Sequence, residues 1–175
     1  MSSLELGTEL LSSGEVSNTT LLSIGDERPA SENCEKFVAF FLGNSIYCVS
    51  SKAVAEIVHP LPVSPLPTAP PSITGIAAIR GEVVAVTNLK KILGLEDSPS
   101  NGKAKLIILR SNAKNTQFAI PVDSMHELIS VVPDAITPDP SSKPDGITKL
   151  VKHDNDVFKI IDTRVLLERV EASIS

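Results

Sequence analysis

Two residues have the right types and settings for charge-based recognition. Arg80 stands where the apolar stretches Ser72–Ile79 and Val83–Val86 turn into each other, beside Gly81. A glycine there permits close approach or a positive φ. Arginine is a planar fork that stays charged and makes paired hydrogen bonds. It can be read as a solvated hairpin charge or as a charged contact in a groove. Glu56 interrupts the run Val54-Ala-Glu-Ile-Val58. A carboxylate in such a strand needs an exposed face or a cationic partner. Glu56 and Arg80 are therefore expected to come close, on neighbouring strands of the first half of the chain.

Other polar groups carry weaker signals. His153-Asp154-Asn155-Asp156 could be a metal cluster, but an Asp-Asn pair between two strands is ordinary turn chemistry. The spacing of a calcium loop is missing. His59 precedes Pro60 and reads as a strand-end residue; His126 beside Glu127 reads as a surface pair. Cys34 and Cys48 lack metal-ligand spacing, and Cys48 lies in an apolar strand as a small buried hydrophobe. The sequence contains no G-x-S-x-G, no phosphate-binding Gly-Lys-Ser loop, no Cys-x-x-Cys and no H-E-x-x-H. Catalytic, cofactor and metal residues are accordingly assigned as none, and the expectation is a non-enzyme.

Composition narrows the partners. The net charge is -5 and the pI about 5.2, with basic residues scattered and aromatics only 3%. Nucleic-acid binding wants clustered Lys and Arg with stacking aromatics, so it is not expected. No apolar run reaches the length of a membrane span, and no basic-then-apolar secretory signal opens the chain. The expected location is the reducing cytoplasm.

The elements that must position these residues come from an internal repeat. Ile46–Ile57 slid by 71 positions lands on Gln117–Leu128, so that Tyr47 meets Phe118, Val54 meets Met125 and Glu56 meets Glu127. The same shift carries Gly75-Ile76 onto Gly146-Ile147 and Ile79 onto Leu150. A shift of 74, from three residues entering at the next turn, carries Val84 and Val86 onto Phe158 and Ile160. One small unit has been duplicated. Each copy reads as five short strands and a helix. Asn88 and Asp162 are the N-caps of the two helices, and Gly94 is the C-cap of the first. Proline-dense connectors at 60–71 and 133–144 cannot be central strands. Each half, at roughly 65 residues, is marginal alone, so the halves should share a core. Residues 1–34 read as a disordered or flexible leader, or as a short peptide that docks on a partner. The ordered part is expected over 35–172, with subdomain 1 at about 35–95 and subdomain 2 at about 103–172.

The ordered series Phe37-Val-Ala-Phe-Phe-Leu-Gly43, Tyr47, Val54-Ala-Glu-Ile57, Gly75-Ile-Ala-Ala-Ile-Arg-Gly-Glu-Val-Val84 and Asn88-Leu89 resembles the CheW-like adaptor family. Pro121-Val-Asp-Ser-Met125 and Phe158-Lys-Ile-Ile-Asp162 agree in the second half. The resemblance covers about 35–172. It implies a mainly β fold of two packed five-stranded SH3-like barrels with short helices. It implies a non-catalytic scaffold that couples the cytoplasmic helical tip of a chemoreceptor to the regulatory domain of a histidine autokinase, in chemotaxis or surface motility. Recruitment to membrane-associated receptor arrays follows from the same likeness, with the tip in the groove between barrels and the kinase at a barrel end. Val54, Glu56, Gly75 and Arg80 match motif positions linked to coupling; Gly81 and Glu82 complete the Arg80 turn. The sequence departs from the family wording at Cys48, Ile79, Ala85 and Asn88. An alternative from another class is a small-molecule sensor with its pocket in the inter-barrel cleft. A deep, enclosed cavity would favour that alternative, and an open groove would favour protein binding.

Overall fold

Alternating apolar residues between turn signals form eleven strands among the described residues. The structure, a computed structural model, describes residues 33–99, 101–111, 115–141 and 148–174. The expectation of a leader over 1–34 falls almost wholly outside them. The strands are β1 (Glu35–Leu42), β2 (Ser45–Ser50), β3 (Val54–Val58), β4 (Ile73–Ile79), β5 (Glu82–Thr87), β6 (Lys105–Arg110), β7 (Gln117–Val122), β8 (Ser124–Val131), β9 (Thr137–Pro138), β10 (Thr148–His153) and β11 (Asp156–Ile161). Helix α1 (Leu89–Leu93) follows β5, and α2 (Thr163–Ile174) follows β11. Both expected N-caps are made. Asn88 Oδ1 accepts from the Lys91 N–H, and Asp162 Oδ1 accepts from those of Arg164 and Val165. Gly94 ends α1 at φ 74°, with the Leu95 N–H returned to the Lys90 carbonyl.

The strands build a six-stranded sheet, β9-β10-β11-β2-β1-β8, and a five-stranded sheet, β3-β6-β7-β5-β4. The extra strand of the larger sheet is the two-residue β9. The two sequence halves are not the two sheets, which corrects the expectation that each half forms its own. The hairpin β1–β2 of the first half lies between β8 and β11 of the second. Reciprocally, β6–β7 of the second half lies between β3 and β5 of the first. The exchange is symmetric to the residue. Tyr47 faces Lys159 and Cys48 faces Ile160 in one parallel pairing; their copies Phe118 and Ala119 face Ala85 and Val86 in the other. Val54 opposes Leu109, and its copy Met125 opposes Phe40.

Register also moves the insertion between the copies. Ile76 opposes Ala85, and Leu150 opposes Lys159, the copy of Ala85. Ile79 therefore corresponds to His153 rather than Leu150, and Gly75 does not correspond to Gly146. The extra residues enter before β10, in the connector. The hairpins themselves are equal in length, because both close on two residues, Arg80-Gly81 and Asp154-Asn155.

The exchange explains the apolar runs Phe37–Leu42 and Leu106–Leu109. Alternate residues of β1, β2, β6 and β7 face two different cores. Phe37, Ala39 and Cys48 point inward within the six-stranded sheet, packed with Val151, Phe158 and Ile160. Leu106, Ile108 and Ala119 do the same in the five-stranded sheet, with Ala77, Ile79 and Val84. Phe40, Leu42, Tyr47, Val49, Ile107, Leu109, Phe118 and Ile120 point into a third core between the sheets, which both helices seal with Leu89, Ile92, Leu166 and Val170. Strands buried on both faces lose the polar alternation of a half-exposed strand.

Candidate functional site

Arg80 and Glu56 meet, but not as neighbouring strands. β3 and β4 are the opposite edges of the five-stranded sheet, so contact between Glu56 and the β4–β5 turn shows that the sheet curls until its edges approach. Arg80 Nε lies 3.0 and 3.1 Å from the two carboxylate oxygens of Glu56, and Nη2 lies 2.9 Å from Oε2. This is the forked geometry that fixes both planes. The Arg80 hydrogen bond, helped by its charge, outweighs partial burial and holds the Glu56 carboxyl below its ordinary pKa. The guanidinium pKa is raised by the same hydrogen bond and charge.

The turn that presents Arg80 is constrained. Arg80 has φ 51° and Gly81 φ 83°, the two positive values of a tight hairpin turn matched to strand twist. A non-glycine residue in the left-handed region is uncommon and strained, and such residues gather at functional sites. The side chain stays 78% exposed despite its ion pair, so its outer N–H groups remain available. Gly81 and Glu82 are exposed beside it. Two large apolar side chains flank this corner in sequence: Ile57, next to Glu56, and Val83, which is 70% exposed. Val54 is half-buried and packs against the inter-sheet core.

Gly75 lies elsewhere: it is buried. The proline-rich connector returns over β4, where Ser64 and Ile76 exchange N–H···O bonds of 2.8 and 2.9 Å. Half of residues 60–71 are prolines without an N–H, so the connector adds one bridge at Ser64 but no strand. A Cβ on Gly75 would collide with the Ser64 carbonyl oxygen and would lie 2.9 Å from Val63 Cγ1. We expect Gly75→Ala to cost about 1–3 kcal/mol, as overpacking against backbone does. Denaturant melts would show the loss, and an unchanged midpoint would refute the close approach.

Two polar clusters had no local sequence signal. Lys90 Nζ on α1 lies 2.8 Å from Asp123 Oδ1 and 2.7 Å from Ser98 Oγ, while Asp123 Oδ2 accepts the Gly43 N–H at 2.7 Å. That clamp joins the first helix, the β1–β2 turn and the β7–β8 junction. Asp139 accepts from the Ser141 N–H and hydroxyl and from Thr148 Oγ1. Burial pushes its pKa up, but the Ser141 and Thr148 hydrogen bonds and the Lys159 charge together hold it below the usual range. Burial pushes the Cys48 thiol up to about 12, so it is no nucleophile. His153 and Asp154 occupy the β10–β11 turn region as turn chemistry predicts, and among the described residues no group of three metal-ligating side chains converges.

The clefts near the inter-half linker are open. One of about 740 Å³ is lined by Gly43, Asn44, Glu96, Asp97, Ser98 and Asp123 among others, and one of about 260 Å³ lies beside α1. Neither is the deep, enclosed apolar chamber that a sensor would need, and the inter-sheet seam is filled by side chains.

The CheW-like domain family model matches residues 36–171. The chain belongs to the CheW-like domain family. The CheW-like region thus begins within β1 and ends within α2. The chain is 26% identical over 124 residues to the chemotaxis protein CheW of Helicobacter pylori, covering 71% of this chain and 74% of that one. It is 26% identical over 143 residues to CheW of Bacillus subtilis, covering 77% and 88%. A crystal structure of the scaffolding protein TtCheW from Thermoanaerobacter tengcongensis superposes with a TM-score of 0.66 at 26% identity, covering 74% of this chain and 89% of that one. The CheW-like series therefore survives the departures at Cys48, Ile79, Ala85 and Asn88. The structure gives each a tolerant setting: Cys48 and Ile79 are buried in the two sheet interiors, Ala85 packs on the inter-sheet core, and Asn88 caps α1.

Proposed function

We propose that this protein is a non-catalytic scaffold that couples the cytoplasmic tip of a chemoreceptor to the regulatory domain of a histidine autokinase. The observation that carries this reading is the Arg80 corner in a chain of the CheW-like family. There, a strained turn holds an exposed guanidinium rigidly on Glu56. Ile57, next to Glu56 in sequence, and Val83, just after the turn, are exposed apolar residues of the same segments. A charged anchor next to apolar side chains is the composition of a protein-docking hot spot. Val54, Glu56, Arg80, Gly81 and Glu82 form the proposed surface, and Gly75 supports it by letting the connector lie on β4. The pathway served is chemotaxis or surface motility. The proposed location is the cytoplasmic face of membrane-associated receptor arrays; among the described residues no helix is long and apolar enough to cross a membrane. Single contacts need not be tight, because linked sites in an array multiply weak affinities.

The test is titration calorimetry of the full chain against a kinase regulatory domain and against a receptor tip, with Arg80→Ala, Glu56→Lys and their combination. Loss of an exposed hot-spot side chain costs about 1–2 kcal/mol, so the single variants should weaken at least one partner roughly tenfold. The same two partners bound at wild-type strength by the double variant would refute the site.

A further inference from the structure

The duplication sets a second, equivalent corner in the other sheet, and its turn charge is inverted. By strand register, Glu127 is the copy of Glu56, Leu128 of Ile57, Val157 of Val83, and Asp154 of Arg80. The exposed apolar residues are preserved: Leu128 is 59% exposed and Val157 47%. The glutamate is preserved as well. The arginine is not. Asp154 stands in the same first turn position, with the same left-handed backbone at φ 55°, and carries the opposite charge.

The replacement leaves a carboxylate that has exchanged its arginine for histidine. Glu127 Oε1 meets His126 Nδ1 at 3.3 Å, and Asp154 Oδ2 lies 3.9 Å from His153 Nε2. Both imidazoles pack edgewise on the buried Phe158, at 5.7 and 6.0 Å between ring centroids, which ties β8 to β10 as Arg80 ties the β4–β5 turn to β3. In the first corner the equivalent interior positions are Ala55, Ile79 and Val84. The histidines thus line the inner side of this corner, and Glu127 and Asp154 are exposed at its surface.

We propose that the Glu127–Asp154 corner, with Leu128 and Val157, is a docking surface for a folded protein partner that presents an arginine beside an apolar side chain. The partner's guanidinium takes on Glu127 the place that Arg80 takes on Glu56 within the chain. Two observations independent of the acidic charge point to that ligand. The copy of this glutamate binds a guanidinium through a two-point fork, and the flanking apolar side chains are retained in both copies although neither is buried. The inference rests on the scaffold reading and assigns one of its interfaces: the two corners have different rather than equal chemistry, so each selects a different face.

The experiment measures binding of a kinase regulatory domain and of a receptor tip to the full chain carrying Glu127→Arg, Leu128→Asp or Val157→Asp. All three positions are exposed, so the fold should tolerate the changes; circular dichroism melts verify it. The expected result is that Glu127→Arg weakens one partner at least tenfold and leaves the other unchanged. One arginine→glutamate variant, from a scan of that partner's surface arginines, should then recover most of the loss. Wild-type affinity of both partners for all three folded variants would overturn the corner, while leaving the scaffold reading intact. Weakening by Leu128→Asp without any effect of Glu127→Arg would overturn the arginine. Failure of the wild-type chain to bind either partner would overturn both readings.

Discussion

Cut at the linker after Pro99, neither half of this protein will fold, and the two halves mixed together will. The first fragment would carry β1–β5 and α1, and the second β6–β11 and α2. Alone, the first keeps the β1–β2 and β4–β5 hairpins but loses the strands on both outer flanks of β1–β2, and β3 has nothing to pair with. The second is left in the mirror condition. Every face of the inter-sheet core would also open to water, since its buried residues come from both halves. A folding unit of roughly 65 to 75 residues with half its core exposed has no surplus against conformational entropy. Circular dichroism should show no cooperative melt for either fragment and a native-like melt for the equimolar mixture. The mixture's midpoint should depend on concentration, because cutting the linker replaces an effective concentration of the order of millimolar by the actual one. A cooperative transition in one isolated half would refute the exchanged pairing.

Phe40→Ala should cost about 3–5 kcal/mol, the usual range for a buried phenylalanine replaced by alanine. Phe40 is fully buried. It sits in β1, opposite Tyr47 on one side and Met125 on the other, and packs in the core shared by both sheets. The cavity would lie where the exchanged hairpin joins its host, and strands on both sides are held by ladder hydrogen bonds that limit collapse. Urea denaturation gives the number. Val83→Ala, at an exposed position, should change stability little by comparison. A Phe40→Ala loss below about 1 kcal/mol would mean that the seam repacks freely and is not a close-packed core.

The candidate site was partly legible. Arg80 was marked by type and place: an arginine next to glycine between two β runs. Glu56 was marked by polarity inside an apolar strand, and pairing the two follows from charge alone. That they lie on opposite edges of a curled sheet was not legible, because curl depends on strand order. Gly75 carries a motif signal, but its physical role is clearance for the Ser64 backbone, contributed by a connector eleven residues upstream. The Lys90–Asp123 clamp joins residues 33 apart, and nothing local in either segment announces it.

Strand positions, helix caps, turns and the duplication follow from the sequence by itself, since alternation, capping side chains and glycine are properties of a few consecutive residues. Only the tertiary structure decided which strands pair. Apolar runs such as Phe37–Leu42 say that a strand is buried on both faces, but many strands could cover it. The choice of β8 and β11 of the other half is made by register, loop closure and the filling of three cores at once. The same long-range choice of strands sets Asp154 at the position that Arg80 holds in the other sheet, so two similar hairpins present turns of opposite charge.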